Sequence, residues 1–351
     1  MEEDWEGRSQ TQIIRGLPDD LALFCLARVP RRFHTLLKCV CRRWRDLVCS
    51  DDWYAYRRKH NLSETWIYAL CHDKFNRNGC YVLDPHSSSR CWKPIQGFPP
   101  RCLKRKGMGF QAIGKKLFLL GGCGWSEDAT SEAYCYDVSS NSWADSTSMS
   151  TPRCYFACEV LDGKLCAIGG LGSKQYTPHS WDTFDPVSKR WNLHTDASII
   201  SDVEDSIISD GKIYLRGGVS AEPSRLAVYK ISSGTWLADD VNMELGWRGP
   251  AVVVDRSLYV LDQNSGTRLM MWEEDKREWV VIGRLSPLLA PPHCRLVAIG
   301  KKIFIVGKGL RTVVSHIDQL GNTAGRILLC NSIVGLNSDD CDVISCVGVA
   351  L

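Results

Sequence analysis

Apolar residues along this chain follow two different periods, and the change falls near residue 60. Before it, Leu21, Phe24, Cys25 and the run Ala27-Arg28-Val29 recur at three- and four-residue spacing, which marks one face of a helix. Pro18 suits a first helical position, Asp19 and Asp20 favour the positive end of the helix dipole, and Pro30 ends the helix. Further helices are predicted over 32–38, with Phe33, Leu36 and Leu37 apolar, and over 39–48, with Val40, Trp44, Leu47 and Val48 on one stripe. Ser50-Asp51-Asp52 reads as the cap of a fourth, over 53–59.

From Trp66 onward the period is two, and the pattern repeats. An apolar quartet or quintet occurs six times, over 66–70, 117–120, 165–168, 213–216, 258–261 and 303–306, with starts 51, 48, 48, 45 and 45 residues apart. Gly-Lys turns precede it at Gly114-Lys115, Gly163-Lys164, Gly211-Lys212 and Gly300-Lys301, and Arg256-Ser257 takes that place in the fifth copy. Glycine pairs close it at Gly121-Gly122, Gly169-Gly170 and Gly217-Gly218. Trp143, Trp191, Trp236 and Trp279 each lie seven residues after an aromatic: Tyr136, Phe184, Tyr229 and Trp272.

A period in the forties made of short strands predicts β-propeller blades, here six. The glycines are expected to let inner strands crowd a central channel, and the tryptophans to be buried in the wedge between blades. Copies two to six each have an apolar strand before the turn. The first has none, because helix fills that space, while 341–351 is an apolar strand with nothing after it. The expectation is that 343–349 pairs into the first blade and closes the ring. The organisation predicted is a disordered acidic tail at 1–12, a small all-α head at 13–60 and an all-β propeller at 64–351.

Composition narrows the function classes. The hydrophobic fraction of 44% and charged fraction of 24% are ordinary for a soluble globular protein. Net charge is only +3, split unevenly as −3 over residues 1–14 and +6 over 15–60. Seventeen cysteines, an odd number, are scattered, and many sit inside apolar strands as small hydrophobes. Residues 1–12 lack the apolar core of a signal peptide, so free thiols and a cytosolic or nuclear location are expected. No apolar run reaches the roughly 18 residues of a membrane span.

The head resembles the F-box. The resemblance rests on Leu17-Pro18-Asp19-Asp20-Leu21, then Cys25-Leu26-Ala27-Arg28-Val29-Pro30, then Val40-Cys41-Arg42-Arg43-Trp44-Arg45-Asp46-Leu47. It departs in having Val29-Pro30 for the family's Leu-Pro and Cys25 where a larger aliphatic is common. It implies docking to a Skp-type adaptor and, through it, to cullin and RING subunits of a ubiquitin ligase. By position, Leu17, Pro18, Leu21, Cys25, Leu26, Val29 and Pro30 would face the adaptor, while Val40, Trp44 and Leu47 would hold the bundle.

The glycine pairs and the aromatic–tryptophan pairs of the later region resemble kelch repeats. The order F-box then kelch is typical of a large plant group of substrate receptors. The resemblance implies a non-catalytic subunit whose propeller binds a target protein for ubiquitination. The alternative is an interaction scaffold that delivers nothing for degradation.

Other chemistry finds little support. The basic run through Arg31-Arg32, Lys38, Arg42-Arg43, Arg45 and Arg57-Arg58-Lys59 has the spacing of solvated helix faces rather than of a nucleic-acid site. Cys39 and Cys41 with His34 lack a second ligand pair for zinc. There is no phosphate loop, nucleophile elbow or metal-spaced histidine set, so neither metal nor cofactor is expected. The loops 123–132, 171–179 and 219–224 follow the inner strands, where a scaffold usually presents binding residues. Trp125, Lys174, Tyr176 and His179 are the candidate target contacts there.

Overall fold

The computed structural model describes residues 12–351 apart from 88–90, 173–178, 218–225, 231–232, 239–240, 264–266, 287–292, 319–325 and 334–340. Residues 1–11 of the expected acidic tail, Lys174, Tyr176, Gly218 and the loop 219–224 therefore lie outside the described residues. Two compact units emerge, one ending at Thr65 and including Ala350–Leu351, the other Trp66–Val349.

The first unit is α1 (Asp19–Ala27), a 3-10 turn (Arg31–Phe33), α2 (His34–Val40), α3 (Arg42–Cys49) and α4 (Asp51–Lys59). The single helix expected over 39–48 is broken at Cys41, whose extended backbone caps α3 as its Sγ accepts from Trp44 N–H at 3.5 Å. Ser50 caps α4, accepting from Trp53 N–H at 3.2 Å. Ala22, Leu26, Ala27, Leu37, Val48, Trp53 and Tyr54 form the small core.

Arg57, 1% exposed, sits at its centre. It donates to the carbonyls of Ala27, Val29 (3.1 Å) and Leu62 (2.6 Å) and to Glu64 Oε1 (3.2 Å). One guanidinium thus gathers the end of α1 and the chain leaving α4, satisfying carbonyls that the helix ends leave orphaned. Beside it, burial and then the Arg57 charge push His34 down to about 3, so this histidine is neutral; its Nε2 lies 3.3 Å from Val29 O.

The second unit is a six-bladed propeller of four-stranded sheets. Blade two shows the plan: Gly109–Ile113, Lys116–Leu120, Ala133–Asp137 and Ser142–Ser146, antiparallel and in chain order. The six apolar repeats are the second strands. The innermost strands of blades two to six pack on one another around the axis. In blade one the innermost place is taken by Cys341–Ala350, beside Thr65–Asp73, so the chain's last strand closes the ring as expected.

Turns between the first two strands are shifted by one residue in three blades. Strand pairing Leu161↔Lys164, Ser209↔Lys212 and Val254↔Ser257 makes the turn residues Asp162-Gly163, Asp210-Gly211 and Asp255-Arg256, each with φ positive at both positions. Asp-Gly is a preferred pair for a turn needing two such residues. Gly114-Lys115 and Gly300-Lys301 stand where predicted, with φ positive only at the glycine.

The core lies between blades. One cluster joins Phe118 and Leu120 of blade two to Leu165 and Phe184 of blade three, and similar clusters continue round the ring. The last joins Phe304 and Val306 of blade six to Ile67, Leu83 and Trp92 of blade one, with Cys341 and Val343. The seven-residue aromatic spacing is a cross-strand pair: Tyr136↔Trp143, Phe184↔Trp191, Tyr229↔Trp236 and Trp272↔Trp279, with ring centroids 5.1–5.3 Å apart. All four sit on the outermost strand; Trp236 is buried there, with Trp181 of the preceding blade packed against it, while Trp143, Trp191 and Trp279 are only half-buried. Each still reaches outside its own sheet: Trp143 edge-on to Phe98, Trp191 Nε1 to Thr147 O at 2.8 Å, Trp279 Nε1 to Met243 O at 3.1 Å.

The glycine pairs serve a different place from the one expected. Gly121, Gly122, Gly169 and Gly170 all have positive φ; a Cβ at Gly121 or Gly169 would strike the segment entering the next blade, at Arg153 O or Ile200 O, and one at Gly122 or Gly170 the segment entering its own blade, at Met108 or Phe156. The first glycine of each pair thus makes a blade-to-blade junction, and the second a close approach within its own blade. A short helix, α5 (Val241–Gly246), unpredicted from the sequence, lies between blades four and five.

Candidate protein-interaction surfaces

On the helical unit, α1 buries Ala22, Leu26 and Ala27 and leaves Leu21, Phe24, Cys25 and Arg28 on its open face. Those four follow the spacing of one helical stripe. Pro18 and Pro30 are exposed at its two ends, and Leu17 and Val29 are half-buried. Leu26 is therefore a core residue, 5% exposed, and not a docking contact: it lies on the side of α1 opposite Leu21 and Phe24.

Val40 is corrected the other way. Assigned to the bundle from sequence, it is 61% exposed, in line along α2 with Leu36 at 63%, and Phe33 is open as well. Phe24, Phe33 and Leu36 were not among the sequence-predicted contacts, although their periodicity was visible. The opening segment is fixed onto α3, with Trp44 Nε1 donating to Ile13 O at 2.7 Å and Arg43 pairing with Asp19 at 2.7 Å. Asp19 is held below the usual carboxylate range, first by the Ile13 N–H and also by Arg43. So many open apolar side chains in so small a unit mark an interaction site.

On the propeller, the loops after the second strands and the links between blades share one end. Paired backbone bonds tie Lys106 to Cys123 and Cys154 to Leu171 there. Trp125 is 94% exposed, with Lys106 Nζ 5.6 Å from its ring centroid. Tyr155 and Leu171, the first missed from sequence, are also open, and Tyr155 holds a positive φ of 53°. His179 is exposed, but its Nδ1 lies 2.7 Å from Ile199 O, so it also closes a loop. Arg101 (2.8 Å) and Arg105 (2.6 Å) both clamp Glu132, whose carboxyl the Arg105 bond holds below its usual range.

The axis itself is a cavity of about 290 Å³ lined by the innermost strands. Glu159 and Asp205 face it from blades three and four, and Arg295 from blade six. Ser206 Oγ donates to Glu159 Oε1 at 2.6 Å, and Trp247 Nε1 to Asp205 Oδ2 at 3.1 Å. Burial pushes Glu159 from 4.5 up to about 7, against the Ser206 bond, with nearby Asp205 adding to the rise. A carboxyl raised on folding contributes stability that is complete below its unfolded value and is lost as pH climbs through the folded one. The melting temperature should therefore fall between pH 4.5 and 7 by more in the parent than in Glu159→Gln. Parallel slopes for the two in calorimetry would contradict it.

Metal chemistry has no assembled ligand set: among the described residues no group of three or more His, Cys, Asp or Glu could hold an ion. The zinc candidates do separate jobs, Cys41 capping α3 and Cys39 bonding Thr35 O at 3.3 Å. Among the described residues no helix is long and apolar enough to cross a membrane.

Comparison with known proteins agrees with both units. The F-box domain family matches residues 14–56, and the FKB95 kelch-repeats domain family matches 66–319. The F-box/kelch-repeat protein SKIP4 of Arabidopsis thaliana is 50% identical over 98% of this chain and 96% of its own length. The F-box/kelch-repeat protein At1g30090 of the same plant is 27% identical over 88% and 80%. Among solved structures, one described as "Structure of YjhT" covers 72% of this chain and 91% of its own at TM-score 0.54 and 16% identity, a likeness of fold alone. Both matched families are interaction modules rather than catalytic domains. With one family spanning the propeller and a half-identical relative spanning nearly its whole length, this chain belongs to the F-box/kelch-repeat family.

Proposed function

We propose that this protein is the substrate-recognition subunit of a cullin–RING ubiquitin ligase in the cytosol or nucleus. Its head docks a Skp-type adaptor, which links it to cullin and RING subunits, and its propeller binds a target protein for ubiquitination. The observation that carries the reading is the open apolar stripe of α1, Leu21, Phe24 and Cys25, in a unit whose own core is already filled. Such a stripe buries itself in a partner's groove through a few anchors.

Co-purification with a Skp-type adaptor tests it. Leu21→Ala with Phe24→Ala removes two anchors and should weaken adaptor binding roughly 30-fold or more. Circular dichroism should be unchanged, since both side chains face solvent. Unchanged adaptor affinity in this variant would refute the proposed surface. Cullin recruitment, together with a bound target that accumulates under proteasome inhibition, separates a ligase receptor from a scaffold.

A further inference from the structure

Blades two and three meet where Gly122 N–H donates to Arg153 O at 2.8 Å, and the next residue on each side is a cysteine. Paired backbone bonds fix Cys123 to Lys106 (2.9 and 3.0 Å) and Cys154 to Leu171 (2.8 Å each). Tyr155 N–H also donates to Gly107 O at 2.8 Å, so the segment carrying Cys154 borders the one that Cys123 pairs with, and the two cysteines flank a single junction. Each also approaches a carbonyl, Lys106 O at 3.8 Å and Leu171 O at 3.4 Å. Cys123 is half-open to solvent, whereas Cys154 is 5% exposed.

We propose that Cys123 and Cys154 are a modification site, a reversible disulfide that staples blade two to blade three under a peroxide or disulfide oxidant. Burial pushes the Cys154 thiol up to about 12, which leaves the first attack to the more open Cys123. The Cys123 thiolate attacks one peroxide oxygen, the O–O bond breaks, and the leaving hydroxide takes a proton to become water. Cys154 sulfur then displaces hydroxide from the resulting sulfenic acid, and that hydroxide takes the Cys154 proton as a second water. Two thiols are oxidised to one disulfide as one peroxide is reduced to two waters. A dithiol reductant reverses the step by exchange.

The staple sits among open apolar groups. Trp125 is two residues beyond Cys123, Tyr155 directly follows Cys154, and Leu171 pairs with Cys154. On the reading of this end as the target-binding face, the disulfide fixes their spacing and alters target affinity. That consequence rests on the proposed function; the disulfide does not. Two further cysteines, Cys71 and Cys341, share one core cluster but are both buried, so they provide an internal control.

The experiment uses the full-length protein, exposed to hydrogen peroxide or oxidised glutathione, alkylated and digested with trypsin without reduction. A cross-link should join peptide 117–153 to peptide 154–164 and disappear on adding dithiothreitol. These peptides also hold Cys135 and Cys158, so the link should vanish in C123S and in C154S and persist in C135S, C158S and C71S. Recovery of Cys123 and Cys154 as separate alkylated thiols would overturn the proposal. So would a link that survives C123S, or Cys123 trapped only as a glutathione adduct or sulfinic acid. Adaptor binding measured on the same samples reads the proposed function separately, because loss of either result leaves the other standing.

Discussion

Removing residues 341–351 should leave a protein that aggregates and shows no cooperative melt. The strand Cys341–Ala350 supplies Cys341, Val343, Val347 and Val349 to the core, and Leu351 is buried after it. At about 1.5–3 kcal/mol per buried aliphatic side chain, the loss is on the order of 10 kcal/mol. That equals the whole stability of a typical domain, about 5–15 kcal/mol. The deletion also bares the edge of Thr65–Asp73, a ready template for intermolecular pairing. Size-exclusion chromatography and a thermal melt by circular dichroism check it. A monomer with an unchanged melting temperature would show that the ring does not depend on this strand.

Arg153→Leu is expected to destabilise the propeller by about 3–5 kcal/mol, the range for breaking a buried ion pair from one side. Arg153 and Asp182 are both buried and pair at 2.9 Å. The other guanidinium nitrogens bond Gly169 O (2.6 Å), Ser180 O (3.0 Å) and Ser180 Oγ (2.8 Å). Asp182 Oδ1 has no hydrogen-bond partner among the described residues, so loss of Arg153 leaves that carboxylate uncompensated. Asp182→Asn in the Arg153→Leu background should recover part of the loss, since an amide is less costly to bury than a lone charge. Urea melts measure both. A single-variant loss under about 1 kcal/mol would mean that water reaches Asp182 in the folded blade.

The six blades and the closing strand were legible because each rests on an alternation that survives substitution. Leu117–Leu120, Leu165–Ile168 and Ile303–Val306 keep their apolar run although the glycine pair is lost from the last. The hairpin turns were misplaced by one residue in three blades, because Gly163 and Gly211 follow an aspartate that shares the positive φ, and Gly-Lys is the more visible pair. The role of the glycine pairs was not legible. The collision partners of Gly121 and Gly169, Arg153 O and Ile200 O, are some 30 residues away and belong to the next blade's entry.

In the head, the stripe was visible but its outward side was not. Leu26 and Leu21 are both leucines on α1, and only the packing of the bundle decides which is buried. Tyr155 carried no signal in the sequence, since its exposure follows from a backbone turn. Trp143, Trp191 and Trp236 share one spacing and the outermost strand, yet only Trp236 is buried, because Trp181 of the preceding blade packs on it, a contact that spacing does not carry.

A ring closed by its final strand also sets an order of events in synthesis. Thr65–Asp73 leaves the ribosome roughly 270 residues before Cys341–Ala350. At about 5–20 residues per second, blade one waits some tens of seconds for its innermost strand. The helical unit has its four helices by Lys59 and takes from the far end only Ala350–Leu351, so most of it can be built during that wait. The blades pair strands that are neighbours in sequence, so they can form as they emerge, but the ring itself waits for one pairing of very long sequence separation and completes last. On the function proposed above, an adaptor bound to α1 would then meet a nascent chain whose propeller is not yet closed.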